Sequence, residues 1–212
     1  MNAESSYFQS RFVFDPRRDI VWKEISAYLE QRHIPRRATI LEIGAGHCHF
    51  INQVAASERH ALDVSSEVRR YAAEGVIAHV QSCTSMETIR DGYFDTVFAS
   101  NVFEHLTREQ AIETLSEVKR VLKPNGKLII IQPNFKHCYR EYFDDYTHIQ
   151  IYTDVSISDF LLASGFRVLD VKPRFLPFSM KSNLPKARWL VRLYLNSPVK
   201  PFAGQMLVVA TK

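Results

Sequence analysis

The stretch Ile40–Phe50, ILEIGAGHCHF, runs an apolar segment into two glycines and then into bulkier, polar residues. An apolar run ending in Gly-x-Gly reads as a strand turning sharply into the next element, where missing side chains let a ligand approach the backbone. Two classes of site use such a turn, and spacing separates them. A dinucleotide fingerprint needs a small residue five positions after its first glycine, and that position here is the bulky His49. The other pattern is acid-x-Gly-x-Gly, read as Glu42-Ile43-Gly44-Ala45-Gly46, with an acidic residue closing the following strand; Asp63 in ALDVS supplies it.

Working outward, strands and helices alternate. Asp15-Pro16 opens a helix over 16–32, with Val21, Trp22, Ile25, Tyr28 and Leu29 at helical spacing. Strands are expected at Thr39–Ile43, His60–Val64, Ile77–Gln81 and Thr96–Ser100, with helices over Cys48–Ala56 and Glu67–Glu74 between them. Thr107 and Gln110 make a capping box for a helix over 107–122. The turn Lys123–Gly126 then leads into a buried strand, Lys127–Gln132. A helix at Ile157–Ser164, closed by Gly165, and strands at Phe166–Val171 and Met206–Ala210 complete the pattern. Such alternation argues an α/β fold, a mostly parallel sheet with helices on both faces and ligands at the carboxyl ends of its strands.

Four further blocks follow the glycine turn in order: ALDVS at 61–65, YFDTVFASNVFEHL at 93–106, VLKPNGKLIIIQPN at 121–134 and THIQIYTDVSISDFLLASGF at 147–166. With them the chain resembles the class I S-adenosylmethionine-dependent methyltransferases from about residue 38 to 170. The resemblance implies a Rossmann-like seven-stranded sheet with an antiparallel last strand, and S-adenosylmethionine as cofactor. It implies cofactor contacts from Gly44, Ala45 and Gly46 to the methionine part and from Asp63 and Val64 to the ribose. Glu42 would orient the loop or reach the cofactor's amino group, Ser82 and Cys83 would stand beside the adenine, and Asn101 and Val102 would line the pocket near the sulfonium. Two positions depart from the family pattern: Ser82-Cys83 replaces its usual acid, and Cys48 its third glycine.

Methyl transfer from a sulfonium is an in-line displacement, so alignment and exclusion of water dominate, and a hydroxyl acceptor also needs a base with a pKa near neutral. His148 is the first candidate and His105 the second. Tyr139, Tyr142 and Tyr146, in an aromatic and acidic loop, suit a sugar-like or other small acceptor. No metal is expected: His47-Cys48-His49 are adjacent and share no face, and the Glu104-His105 pair, which is similar to a pattern in metal-holding methyltransferases, has Asn101 where that pattern has an acid. An Asn-Pro-Pro-Tyr type motif is absent after the fourth strand, which tilts against nucleobase methylation.

The 212 residues suit a single domain over 1–212, with an N-terminal helical cap over 1–37 whose Tyr7, Phe8 and Phe12 are expected to fold over the cofactor. Three cysteines, no long apolar run and no leader-like start make the reducing cytoplasm the expected location. The net charge of +4 is uneven: residues 172–212 carry eight Lys and Arg and no acid, whereas the rest stands at −4. Most of that excess lies in a basic insertion, 172–205, whose segment 186–196 reads as an amphipathic helix with Arg188 and Arg192 one turn apart. Such a helix suits a phosphate-bearing acceptor, the surface of an anionic membrane or a partner. The acidic body argues against nucleic acid. The expectation is therefore O-methylation of a small-molecule or glycan-type, anionic acceptor. The rivals are a non-catalytic methyltransferase-like binding domain and a nicotinamide-dependent Rossmann oxidoreductase, the latter opposed by His49 and by the lack of a Tyr-x-x-x-Lys pair.

Overall fold

A computed structural model describes residues 15–178 and 187–212. Seven strands form one sheet in the order β3-β2-β1-β4-β5-β7-β6. Strands β1 (Thr39–Ile43), β2 (Glu58–Asp63), β3 (Val76–Val80), β4 (Phe94–Ser100) and β5 (Leu122–Pro133) pair in parallel. Strand β7 (Ala203–Thr211) runs antiparallel to both β5 and β6 (Arg167–Pro177). The sheet is therefore the one the sequence pattern and the resemblance imply.

Period-two alternation divides the core between the two faces. Leu41, Val97, Leu128, Ile130, Val208 and Ala210 face one side, where they pack with Leu115 and Val118 of helix α3 (Arg108–Val121) and with Ile157 and Leu161 of α5 (Asp154–Ala163). Ile40, Phe98, Ile129, Ile131, Leu207 and Val209 face the other side, against Trp22, Ile25 and Leu29 of α1 (Arg17–Arg32) and Leu195 of α6 (Arg188–Asn196). Helix α3 starts on the expected Thr107–Gln110 capping box, and α5 on a second one, Thr153 with Ser156. The remaining helices, α2 (Val68–Tyr71) and α4 (Phe135–Cys138), are single turns.

Three expectations are corrected. Residues 48–56 form hydrogen-bonded turns and no helix, because Cys48 takes a left-handed backbone (φ 57°) and Glu42 claims the Ile51 N–H. The helix expected over 67–74 shrinks to α2, since the Asn52 side chain donates to the Tyr71 carbonyl and accepts the Ala73 N–H, ending it there. The sixth strand, expected to stop near Val171, runs on to Pro177 through register shifts against β7, and β7 itself begins at Ala203. The basic connection is thus 178–202 rather than 172–205. The Lys123–Gly126 turn survives as an irregularity within β5, between the Phe94–Leu122 and Thr96–Lys127 pairs, with Asn125 left-handed. No helix among the described residues is long and apolar enough to cross a membrane. Tyr7, Phe8 and Phe12 lie outside the described residues, as do 179–186.

Candidate functional site

The ends of β1 and β2 build the first half of the site. Gly44 (φ 64°) and Gly46 (φ 49°) both adopt a left-handed backbone, where a side chain costs about 1–2 kcal/mol. They differ in surroundings. A Cβ at Gly44 would stand 2.5 Å from the Val102 side chain, so this glycine exists to let the loop after β4 pack down. A Cβ at Gly46 would meet nothing within 4 Å among the described residues, which leave space beside the loop backbone. The Ala45 N–H donates to the Leu62 carbonyl at 3.0 Å, tying the loop to β2.

Two buried acids hold this loop. Asp63 accepts the N–H of Gly46 at 2.8 Å on one oxygen and that of Ser65 at 2.9 Å on the other. Burial raises its pKa against the pull of those N–H donors. Glu42 accepts the Ile51 N–H at 3.0 Å, and burial holds its pKa well above the ordinary glutamate value. Carboxylate oxygens have lone pairs beyond one N–H each, so Asp63 at the rim of the open space remains able to accept from hydroxyls of a bound ribose. The loop and its acids fit the methionine and ribose ends of S-adenosylmethionine.

The other cofactor candidates divide. Asn101 (φ 53°) follows β4, its Oδ1 accepting from Gln205 at 3.2 Å, and Val102 lies on Gly44. Val64 is exposed at the lip. The Ser82 hydroxyl is 2.8 Å from that of Thr84, near the surface. The Cys83 side chain is buried in the core and accepts the Thr114 hydroxyl at 3.4 Å.

The second half of the site follows β4 directly. Three residues beyond Asn101, a 3-10 turn (Phe103–His105) presents Glu104 and His105. The Glu104 carbonyl accepts the N–H groups of Ile149 at 2.9 Å and Gln150 at 3.1 Å, which clips a segment 45 residues distant onto the turn and brings His148 beside His105. Their ring centroids are 4.9 Å apart. Each imidazole is set by a backbone carbonyl. His148 Nδ1 is 2.6 Å from the Tyr142 carbonyl, and His105 Nδ1 is 3.2 Å from that of Thr147 and 3.0 Å from the Thr147 hydroxyl. That hydroxyl donates in turn to Asp145 at 2.7 Å. A carbonyl can only accept, so each Nδ1 carries the proton and each Nε2 is the basic nitrogen. Burial lowers the His105 pKa, with the neighbouring His148 adding to it.

Glu104 itself is 1% exposed, and neither of its carboxyl oxygens has a hydrogen-bond partner. Burial lifts its pKa to about 8. Sequence reading named both histidines and weighed the Glu104–His105 pair as a metal pattern, which it set aside because residue 101 is Asn and not an acid. The tyrosines separate. Tyr142 is fully buried, its hydroxyl donating to the Gln150 carbonyl, so it supports His148 from below instead of touching an acceptor. Tyr139 and Tyr146 are exposed. Arg188 and Arg192 are also elsewhere: both donate to the buried carboxylate of Glu24, at 2.8 and 2.9 Å, and clasp α6 to α1.

Comparison with known proteins agrees with this geometry. A methyltransferase domain family matches residues 41–130. An uncharacterized protein of Methanocaldococcus jannaschii is 27% identical over 172 residues, covering 79% of this chain and 72% of that one. The phosphoethanolamine N-methyltransferase of Plasmodium falciparum is 23% identical over 152 residues, covering 66% of this chain and 57% of that enzyme. Among solved structures, the Burkholderia thailandensis 1,6-didemethyltoxoflavin-N1-methyltransferase, with its substrate and S-adenosylhomocysteine bound, superposes with a TM-score of 0.64 at 18% identity, over 99% of this chain and 84% of that one. The family match runs from within β1 into β5, over the strands that carry the glycine loop, Asp63 and Asn101.

Proposed function

We propose that this chain is a class I S-adenosylmethionine-dependent methyltransferase that transfers the methyl group to a hydroxyl of a small-molecule or glycan-type acceptor, deprotonated at the His105–His148 end of the site. The observation that carries the reading is the pairing of two imidazoles with basic Nε2 atoms, His105 on the loop after β4 that Val102 packs against the glycine turn and His148 on the segment clipped to it from beyond β5. The cofactor supplies an electrophilic methyl on a sulfonium. Asp63 and the Gly44–Gly46 loop hold it, the Phe103–His105 turn orients the acceptor, and His148 takes the proton, with His105 as its neighbour.

An acceptor carrying negative charge is favoured by the basic 172–212 segment and by the similarity to an enzyme named for phosphoethanolamine. The pairing of Arg188 and Arg192 with Glu24 moves that role away from these two arginines. Replacing both with Gln should loosen α6 and leave the Glu24 carboxylate unpaired, at about 1–3 kcal/mol of stability once screening of the exposed arginines is counted, with no specific loss of acceptor affinity in the molecules that stay folded.

The test is cofactor consumption with a panel of phenolic, sugar and phosphate-bearing acceptors, alongside calorimetry with S-adenosylhomocysteine. His148→Asn should cut turnover by about 10²–10⁴-fold and leave S-adenosylhomocysteine affinity intact. Tight cofactor binding without turnover on any acceptor of the panel would replace this reading with that of a non-catalytic binding domain.

A further inference from the structure

Glu104, His105 and His148 each offer one donor atom, and the three atoms lie within 4.8 Å of one another. The cluster unites residues from two distant stretches of chain through the backbone bonds of Ile149 and Gln150 to the Glu104 carbonyl. We propose that it binds a divalent first-row transition ion, with Glu104 supplying a carboxylate oxygen and His105 and His148 their Nε2 atoms.

Two independent observations support this. The first is the Glu104 carboxyl, sealed from water with both oxygens unpartnered. A buried polar group without a hydrogen bond is costly, and the nearest side chains do not relieve it: Tyr142 spends its hydroxyl on the Gln150 carbonyl, and the Cys138 thiol is 3.2 Å from the Asn134 carbonyl. A cation on this carboxylate would satisfy it. The second is the way the rings are held. Histidines that ligate metals almost always donate the other ring N–H to a carbonyl, carboxylate or water, which fixes the tautomer and makes the ligating nitrogen more basic. Both rings here have that arrangement: Nδ1 of His148 on the Tyr142 carbonyl, and Nδ1 of His105 on Thr147, with Asp145 behind the Thr147 hydroxyl.

Size and donor chemistry narrow the ion. Bonds of ~2.0–2.2 Å place two donors on one ion at most ~4.4 Å apart, so the cluster needs to contract by roughly half an ångström at its widest, within reach of the torsions of Glu104. Two imidazoles and one carboxylate suit Zn²⁺, Fe²⁺ or Co²⁺ and disfavour Mg²⁺ and Ca²⁺, which prefer all-oxygen shells. Three protein ligands leave coordination positions open, and His105 is the least buried of the three. An acceptor oxygen entering on that side would ligate the ion and lose its proton to solvent more readily; with the ion bound, the Nε2 of His148 is a ligand, and the ion replaces His148 in assisting deprotonation. This inference rests on the proposed function only in naming that oxygen; the metal site stands on the three side chains alone.

The full chain, freed of metal with a chelator and then of the chelator, is titrated with Zn²⁺, Co²⁺ and Mg²⁺ by calorimetry and visible absorption, without cofactor. The expected result is one Zn²⁺ or Co²⁺ per chain, a Co²⁺ d–d spectrum, at least a tenfold loss of affinity in both Glu104→Gln and His148→Asn, and no Mg²⁺ binding. Where either variant fails to melt cooperatively, His105→Asn takes its place. A Co²⁺ spectrum that persists in the folded variants, binding of Mg²⁺ alone, or no ion bound by the wild type would overturn the proposal. S-adenosylhomocysteine affinity measured on the same samples separates the readings: retained with no metal bound, it removes the ion and leaves the methyltransferase; a wild type that binds metal but turns over no acceptor keeps the ion and loses the proposed acceptor chemistry.

Discussion

Glu42 and Glu104 are both glutamates sealed from water, 4% and 1% exposed, and each lies beside the carboxyl end of a central strand. Their surroundings are opposite. Glu42 accepts the Ile51 N–H and so braces the glycine loop, whereas Glu104 is buried just as deeply and its carboxyl finds no partner among the described residues. A carboxyl that completes a backbone is part of the scaffold; one buried with no partner is stored for a group that arrives later. The contrast separates a half of the site built to be rigid from a half built to be filled.

Exchanging the two roles is the sharpest way to break the contrast. Glu104→Gln should leave thermal stability within about 1 kcal/mol, since neither carboxyl nor amide finds a protein partner there, while turnover falls by about 10²–10⁴-fold. A variant that unfolds with its catalytic loss would make Glu104 scaffold after all. Next in size is the difference between the two glycines of the loop. Gly44→Ala adds contact with Val102 to left-handed strain and should cost about 2–4 kcal/mol, with weaker S-adenosylhomocysteine binding, whereas Gly46→Ala adds only the strain and should cost about 1–2 kcal/mol in urea unfolding. Equal costs would mean that the packing of Val102 onto the turn does not hold the two halves together.

The last contrast is in the pH dependence. Burial raises the pKa of folded Glu42, so the folded chain keeps this proton over a range where the unfolded chain, near 4.3, has lost it. The unfolded state then binds fewer protons, and stability declines as pH rises from about 4.3 towards the folded pKa. Glu42→Gln, which can still accept the Ile51 N–H, should flatten that decline by up to ~1.4 kcal/mol per pH unit in urea midpoints measured from pH 5 to 8. An unchanged slope would show that Glu42 is ionised in the folded chain.

Sequence reading reached different depths in the two halves. The glycine turn, Glu42 and Asp63 could be found because their roles are local: acid, turn and strand end lie within a few residues of each other along β1 and β2. The sheet followed from apolar alternation, and its order from the resemblance. Helices failed where a side chain far along the chain overrode local propensity, as Asn52 does at Tyr71 and Ala73. Arg188 and Arg192 were read as substrate ligands because charge patterning shows a basic helix but hides the single buried acid, Glu24, that pairs with both. Cys83 and Tyr142 were misplaced for a related reason: an irregular loop gives no periodicity from which an inward side chain can be told from an outward one. The Glu104–His105–His148 cluster depends on backbone bonds between positions 104 and 149–150, which no spacing rule predicts.

The position of β7 also bears on how the molecule assembles. It follows β6 in the chain but lies between β5 and β6 in the sheet, with all nine of its residues buried. During synthesis, β6 therefore has no neighbour to join until β7 has been made and slotted in, and the edge of β5 stays open over the same interval. An unpaired edge beside the apolar run Leu128–Ile131 is an invitation to other nascent chains. This half of the sheet, and not the half that carries the glycine loop, is the last to close.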